Sequence, residues 1–195
     1  MRGFSKRVLA LPAAAAGAVA LMAVGAGAAH AAAITSGSVT LTVKAAWFEQ
    51  LAKAGVAVVP QNYSALTYDS TAKTFAISFA ATGGDANLNL GAGSVQYSGS
   101  LLGFSCKGKS VSLGSLLFDL TNGQFDGSAS AATGEIALVD LGGTVDGTNS
   151  GTTQTFESSD LVLDSAGAAY LDSALGTSAF VAGQSIGSFS ATWTD

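Results

Sequence analysis

"GSVQYSGSLLGFSC", residues 93–106, decides how this chain folds. Val95, Tyr97 and Gly99 share one parity of an alternating strand, and Leu102, Phe104 and Cys106 share the other. Side chains along a strand point to opposite faces in turn, so the apolar set changes face in mid-run. "KSVSLGSLLFDL", residues 109–120, does the same, with Val111 and Leu113 on one parity and Phe118 and Leu120 on the other. The step is the same three letters in both, Ser100-Leu101-Leu102 and Ser115-Leu116-Leu117. A β-bulge inserts a residue, flips the parity and sharpens the twist. Neighbouring bulges would bend both strands of one long hairpin together and carry it from one sheet to another. Burial of both faces beyond the Leu pairs would give the same letters without a bulge. The bulge is the preferred reading.

The rest of the chain has the same texture. Short alternating runs rich in Ser, Thr, Ala and Val are separated by Gly, Asn and Asp clusters, which predicts an all-β domain. The expected architecture is a β-sandwich with Greek-key or meander strands and two short α-helices. "SVTLTVK" (38–44) reads as a strand, and "LTYDSTAKTFAISFA" (66–80) as a hairpin with "DSTA" at its turn and Phe75, Ile77 and Phe79 on one face. "FDGSASAATGEIALVDL" (125–141) reads as a second hairpin turning near Thr133-Gly134, with Ile136 and Leu138 on its apolar side. "TFESSDLVL" (155–163) and "SIGSFSATW" (185–193) are further strands.

Two segments break the period of two. "AAWFEQLAKAG" (45–55) spaces Trp47, Phe48, Leu51 and Ala54 as one helical face and stops at Gly55. "DSAGAAYLDSALG" (164–176) begins with Asp164 or Ser165 as N-cap and ends on Gly176. A shift of 120 positions superposes Leu41 on Leu161, Val43 on Leu163, Ala46 on Ala166, Leu51 on Leu171 and Ala54 on Ala174. This predicts a repeated strand–helix unit, one near each end of the domain; two Ala- and Leu-rich helices could also coincide by chance.

Residues 1–31 have the form of a secretory signal peptide. Arg2, Lys6 and Arg7 precede a long Ala- and Gly-rich apolar run, and Ala29-His30-Ala31 offers small residues for cleavage after Ala31. An uncleaved N-terminal anchor is the alternative. Cleavage leaves a single domain, 32–195, released or loosely wall-associated outside the cell. It removes the only His, both Met and both Arg, leaving five Lys against 13 acids, a net charge of −8. Such a chain is a poor partner for nucleic acid or for an anionic membrane surface. The one cysteine, Cys106, shares parity with Leu102 and Phe104 and reads as a buried apolar residue; a disulfide between chains and a thiolate ligand are the sharper readings.

This inventory argues against an enzyme. Without His there is no Ser-His-Asp or Cys-His pair and no ordinary zinc site. No phosphate-binding Gly-Lys motif occurs. Paired carboxylates remain, Asp119 with Asp126 or Glu157 with Asp160, but most acids sit beside Gly, Asn or Ser as turn residues do; Asp126-Gly127 and Asp146-Gly147 both look like turns. The expectation is no catalytic residue and no metal ligand. Trp47, Phe48, Tyr97, Phe104, Phe118, Tyr170 and Trp193 are expected mostly in the core, with Tyr63 and Tyr68 exposed around a loop after Pro60.

"LTVKAAWFEQL", the "V-x-V-x-P" segment after it, "GSVQYSGSLLGFSCKGKSVSLGSLLFDL" and "LVLDSAGAAYLDSALGTSAFVAGQSIGSFS" together resemble the haem-transport-associated (Htaa) domain of secreted actinobacterial proteins, and more closely a small secreted offshoot of it. The resemblance covers nearly all of 38–193. It implies a β-sandwich with two short helices, and haem bound through a Tyr on the first helix and a His after a "G-x-V-x-[FY]-x-G" strand. The strand motif stands here as Gly93, Val95, Tyr97 and Gly99, but Ser100 follows it, and Gln50 stands near the place of the helix Tyr. Haem iron takes His, Met, Cys or Tyr, so the resemblance carries the fold and not the ligand pair.

The leading expectation is a non-catalytic binding module for a small hydrophobic ligand or a cell-surface component. Trp47, Gln50, Tyr97 and Ser100 are its candidate ligand-binding residues, and no cofactor is expected. Haem binding with non-standard ligation and a structural role at the cell surface are the alternatives.

Overall fold

A computed structural model describes residues 33–129 and 134–195, without the side chains of Ser100 and Leu101. The signal-like segment 1–31 with its cleavage site, and the Thr133 half of the expected turn, lie outside the described residues.

Alternation builds most of the strands. β1 (Ser36–Lys44) buries Val39, Leu41 and Val43 and leaves Thr40 and Thr42 on the other face. It runs directly into α1 (Ala45–Lys53), which buries Ala45, Trp47 and Leu51. β2 (Val56–Pro60) comes next. β3 (Ala65–Asp69) and β4 (Thr74–Ala80) form the hairpin expected over 66–80, and Asp69 Oδ1 accepts from the turn N–H groups of Thr71 and Ala72 at 2.7 and 2.9 Å. A two-residue β5 (Gly83–Gly84) leads to the long pair β6 (Ser94–Cys106) and β7 (Lys109–Asp119). β8 (Gln124–Ala129), β9 (Glu135–Ser150), β10 (Thr153–Leu163), α2 (Ser165–Leu175) and β11 (Ser185–Thr194) complete the described residues.

The fold is all-β with two short helices, as the sequence predicts. Every pairing is antiparallel, and β6 to β11 run as a meander. The strands form one hydrogen-bonded path, β2-β6-β7-β8-β9-β10-β11-β1-β4-β3, a single curled antiparallel sheet. Bulges explain the curl. In β6, residues 99–101 lie between Ser98 and Leu102 and oppose Gly114 alone, with Gly99 at φ 111°, where only glycine is unstrained. The partner strand bulges at Gly114, one residue before the Ser115-Leu116-Leu117 step. Buried residues accordingly switch from Val95 and Tyr97 to Phe104 and Cys106 in β6, and from Val111 and Leu113 to Leu116 and Phe118 in β7. A third irregularity falls at Leu138, where β9 passes β8. These consecutive bulges curl the sheet.

The curl brings distant strands together. Phe118 of β7 meets Phe156 of β10 at 5.2 Å and Phe189 of β11 at 4.9 Å between ring centroids, although β11 is four places further along the path. At one end the curl closes on itself: Ala81 N–H still bonds to Gly37, while Thr82 N–H bonds to Gln96 and β5 pairs with β6. Loop 85–92 is pinned at this end by Trp193 Nε1 donating to Ala86 O (3.1 Å), Leu88 N–H donating to Gln154 Oε1 (2.7 Å), and Asn149 Nδ2 donating to Asn89 Oδ1 (2.9 Å). At the opposite end β1 and β10 each deliver a helix. The repeated unit is therefore present in the fold: Leu41 with Leu161, Val43 with Leu163 and Leu51 with Leu171 are all buried at matching places. Asp164 caps α2 through Ala166 N–H at 2.6 Å, and Gly176 ends it in the left-handed region at φ 65°.

Two expectations about turns are corrected. Asp126-Gly127 lies inside β8 and Asp146-Gly147 inside β9. Their glycines mark close packing: a Cβ on Gly127 would stand 2.4 Å from Leu138 Cδ1, and one on Gly147 3.3 Å from Leu88. Among the described residues no helix is long and apolar enough to cross a membrane.

Candidate functional site

The path of the sheet begins at β2 and ends at β3, two strands joined by the short loop 61–64. β2 pairs with the half of β6 beyond its bulge, and β3 pairs with β4. Away from the closed end, a seam therefore runs between β2 and the β3–β4 hairpin, with α1 beside it. The seam holds an apolar groove of about 320 Å3. α1 contributes Phe48 and Ala52, β2 contributes Val56, Val58 and Pro60, and the hairpin contributes Leu66, Phe75 and Ile77.

An aromatic run leads inward along the groove. Tyr68, 49% exposed, lies 4.7 Å from Phe75; Phe75 meets Phe48 edge-on at 5.4 Å; Phe48 lies 5.4 Å from the buried Trp47. Behind this run is an interior cavity of about 70 Å3 lined only by apolar and aromatic residues. Its walls combine Trp47, Phe104 and Leu113 with Leu171 of α2 and Leu163 at the end of β10. Phe48, Val58 and Ile77 border both spaces, so three side chains separate the groove from the cavity.

The four candidate residues go to different places. Trp47 lines the cavity, buried, with Nε1 lacking a protein partner. Gln50 is on the exposed side of α1, where its Oε1 accepts from Gln184 Nε2 at 2.7 Å. Tyr97 is fully buried in the half of β6 before the bulge, stacked near Phe125 at 6.2 Å, and does not reach the cavity. Its hydroxyl has no protein partner, and burial drives its ionisation far above the ordinary phenol range. Ser100 lies in the bulge, and its side chain falls outside the described residues. Of the three whose side chains are described, only Trp47 borders the spaces at the seam.

These residues do not fit haem. Gln50 is engaged at the surface, and Tyr97 is held as a neutral phenol in a sealed part of the core. Cys106 is buried and unpaired, as its parity predicts.

The carboxylates serve the backbone or neighbouring side chains. Asp119 caps the turn at 120–123 through the N–H groups of Thr121 (2.8 Å) and Asn122 (3.2 Å). Asp126 accepts from Gln124 Nε2 at 2.8 Å; burial is the largest influence on it and raises its carboxyl, with the charges of Glu135, Asp119 and Asp140 adding to the rise. Glu157 accepts from Ser190 Oγ at 3.2 Å, and Asp160 from Ser185 Oγ. Among the described residues no group of three or more His, Cys, Asp or Glu is placed to hold a metal ion.

Leu66, Phe75, Val58 and Pro60 were not singled out as site residues from the sequence. The available signals were the alternation of "VAVVP" (56–60) and the hairpin register that sets Leu66 opposite Ile77. Compared with known proteins, the chain matches no family model and no curated protein.

Proposed function

We propose that this chain is an exported, non-catalytic binding domain that holds a small apolar molecule in the seam between β2 and the β3–β4 hairpin. One observation carries the reading: an open apolar groove and a deeper apolar cavity share the wall formed by Phe48, Val58 and Ile77. Ligand pockets are concave, mostly apolar and a few hundred Å3 in size, and the groove meets each condition. The signal-like segment supports export, and the absence of His and Arg from residues 33–195 supports binding over catalysis. The resemblance to the Htaa domain enters as a proposal about the framework, without its ligand pair.

The test is titration of the purified domain with an environment-sensitive apolar dye. Saturable enhancement at micromolar concentration is expected, weakened at least tenfold by Leu66→Glu, a change at a 41% exposed position that leaves the core intact. Dye that fails to saturate, or that binds the variant equally well, overturns the reading. Haem titrated in parallel is expected to give no saturable shift of its Soret band.

A structural role at the cell surface is favoured by a different observation: β3 is an edge strand whose five residues are all exposed, Leu66 and Tyr68 among them. Such an edge is a template for pairing with another chain. Light scattering that finds a monomer at high concentration supports the binder, and assembly abolished by Leu66→Lys supports the structural reading.

A further inference from the structure

We propose that the occupant of the seam is one unbranched aliphatic chain beneath an uncharged head, and that its tail passes Phe48, Val58 and Ile77 into the interior cavity. This deepens the proposed binding function and rests on it. Three observations carry it.

The first is shape. The groove follows β2, where Val56, Val58 and Pro60 line it, and faces Leu66 and Phe75 across the seam. Four rises of about 3.3 Å separate Val56 from Pro60, so it runs about 13 Å along the strand. An extended hydrocarbon chain matches an apolar trough of that form.

The second is continuity. The cavity behind the wall is apolar and bordered by both helices and the bulged strands. Only a slender apolar group can use it. Phe48 is half-buried at the junction, 5.4 Å from Phe75 on the groove side and 5.4 Å from Trp47 on the cavity side, and it lines both spaces.

The third is charge. Among the described residues, no charged side chain lines the groove or the cavity. Residues 33–195 hold five Lys against 13 acids. A carboxylate head would be repelled by that field at low ionic strength, and a glycerol or alcohol head would not.

Trp47 stands at the cavity wall and reports on the tail. The other tryptophan, Trp193, is held at the closed end by the carbonyl of Ala86 and lines neither space. The experiment uses saturated monoacylglycerols of 12 to 16 carbons carrying bromine either at the chain end or beside the head, with tryptophan fluorescence as the readout. Bromine at the chain end is expected to quench at least twice as strongly as bromine beside the head. Trp47→Phe is expected to remove this difference and Trp193→Phe to preserve it. The fatty acid of equal length is expected to bind at least fivefold more weakly at low salt, the gap closing as salt rises.

Equal quenching by the two bromine positions, with binding intact, overturns the tail placement and leaves the seam reading standing. Tighter binding of the fatty acid overturns the neutral head. Failure of every chain while the apolar dye still saturates overturns the ligand class alone. Failure of both dye and chains overturns this inference together with the reading beneath it. The comparison of bromine positions needs only the unaltered protein, so it stands even where a tryptophan variant fails to fold.

Discussion

Tyr97 is completely buried with a hydroxyl that no protein group satisfies, and Phe118 and Phe125 continue the stack of rings beneath it. A buried unpaired hydroxyl costs about 1–3 kcal/mol. Tyr97→Phe is therefore expected to leave the melting temperature unchanged or raise it by a few degrees, measured by calorimetry. A loss above about 1 kcal/mol, a typical net value for one hydrogen bond, would assign the hydroxyl a partner. Asp126 gives a pH prediction of unusual sign. Its carboxyl is raised in the folded state, first by burial, so the native protein keeps that proton to higher pH than the unfolded chain does. The stabilisation is fully present below the ordinary carboxylate value of 3.8 and is lost as pH climbs through the raised native value. Asp140, raised by burial and then by Asp164, acts in the same direction. Urea midpoints should fall as pH rises across this range. Asp126→Asn, which keeps an acceptor for Gln124 Nε2, should raise the midpoint at neutral pH and flatten the slope; an unchanged slope would assign the dependence to Asp140.

Among the elements, β8 and β9 are in closest contact where Gly127 passes under Leu138. Gly127→Ala forces a methyl against that side chain and is expected to cost about 1–3 kcal/mol, read as a lower urea midpoint with the m-value unchanged. A neutral result would show that Leu138 shifts freely at its bulge. This contact also marks where the letters misled: Asp-Gly is strong turn chemistry locally, and tertiary packing used the missing side chain instead. The parity swap in β6 and β7 was legible because bulged strands still bury alternate residues on each side of the bulge. Both helices were legible because each carries an apolar stripe and a glycine stop. The lower half of β9 was not, since 142–150 mixes Gly, Thr, Asn and Asp, is half-exposed or exposed, and owes its strand to pairing with β10. The seam was hidden for a related reason. Leu66 and Val58 look like ordinary strand residues, and only the curl of nine other strands sets their two edges side by side. Trp47 was legible as an aromatic on an apolar helix face, whereas Gln50, three residues further, shares that side of the helix but lies at its edge, exposed and bonded to Gln184.

For the whole molecule, the closure is unequal. Residues 81–84 hand the chain from β1 to β6 and seal one end, while β2 and β3 leave the other end unzipped. Amide exchange should match that division, with Val95 and Phe118 protected to near the global limit and the amides of 56–60 and 65–69 opening far more readily. Equal protection of the two regions would mean that the seam does not breathe and that a ligand has no way in. The position of β11 carries a further consequence. Ser185–Thr194 is wedged between β10 and β1, so the strands that deliver the two helices become neighbours only through it. Without those ten residues the two halves of the sheet would be joined only by the hand-over at 81–84. The curled sheet is thus an arch with β11 as its middle stone, and it takes its closed form only when that strand is seated.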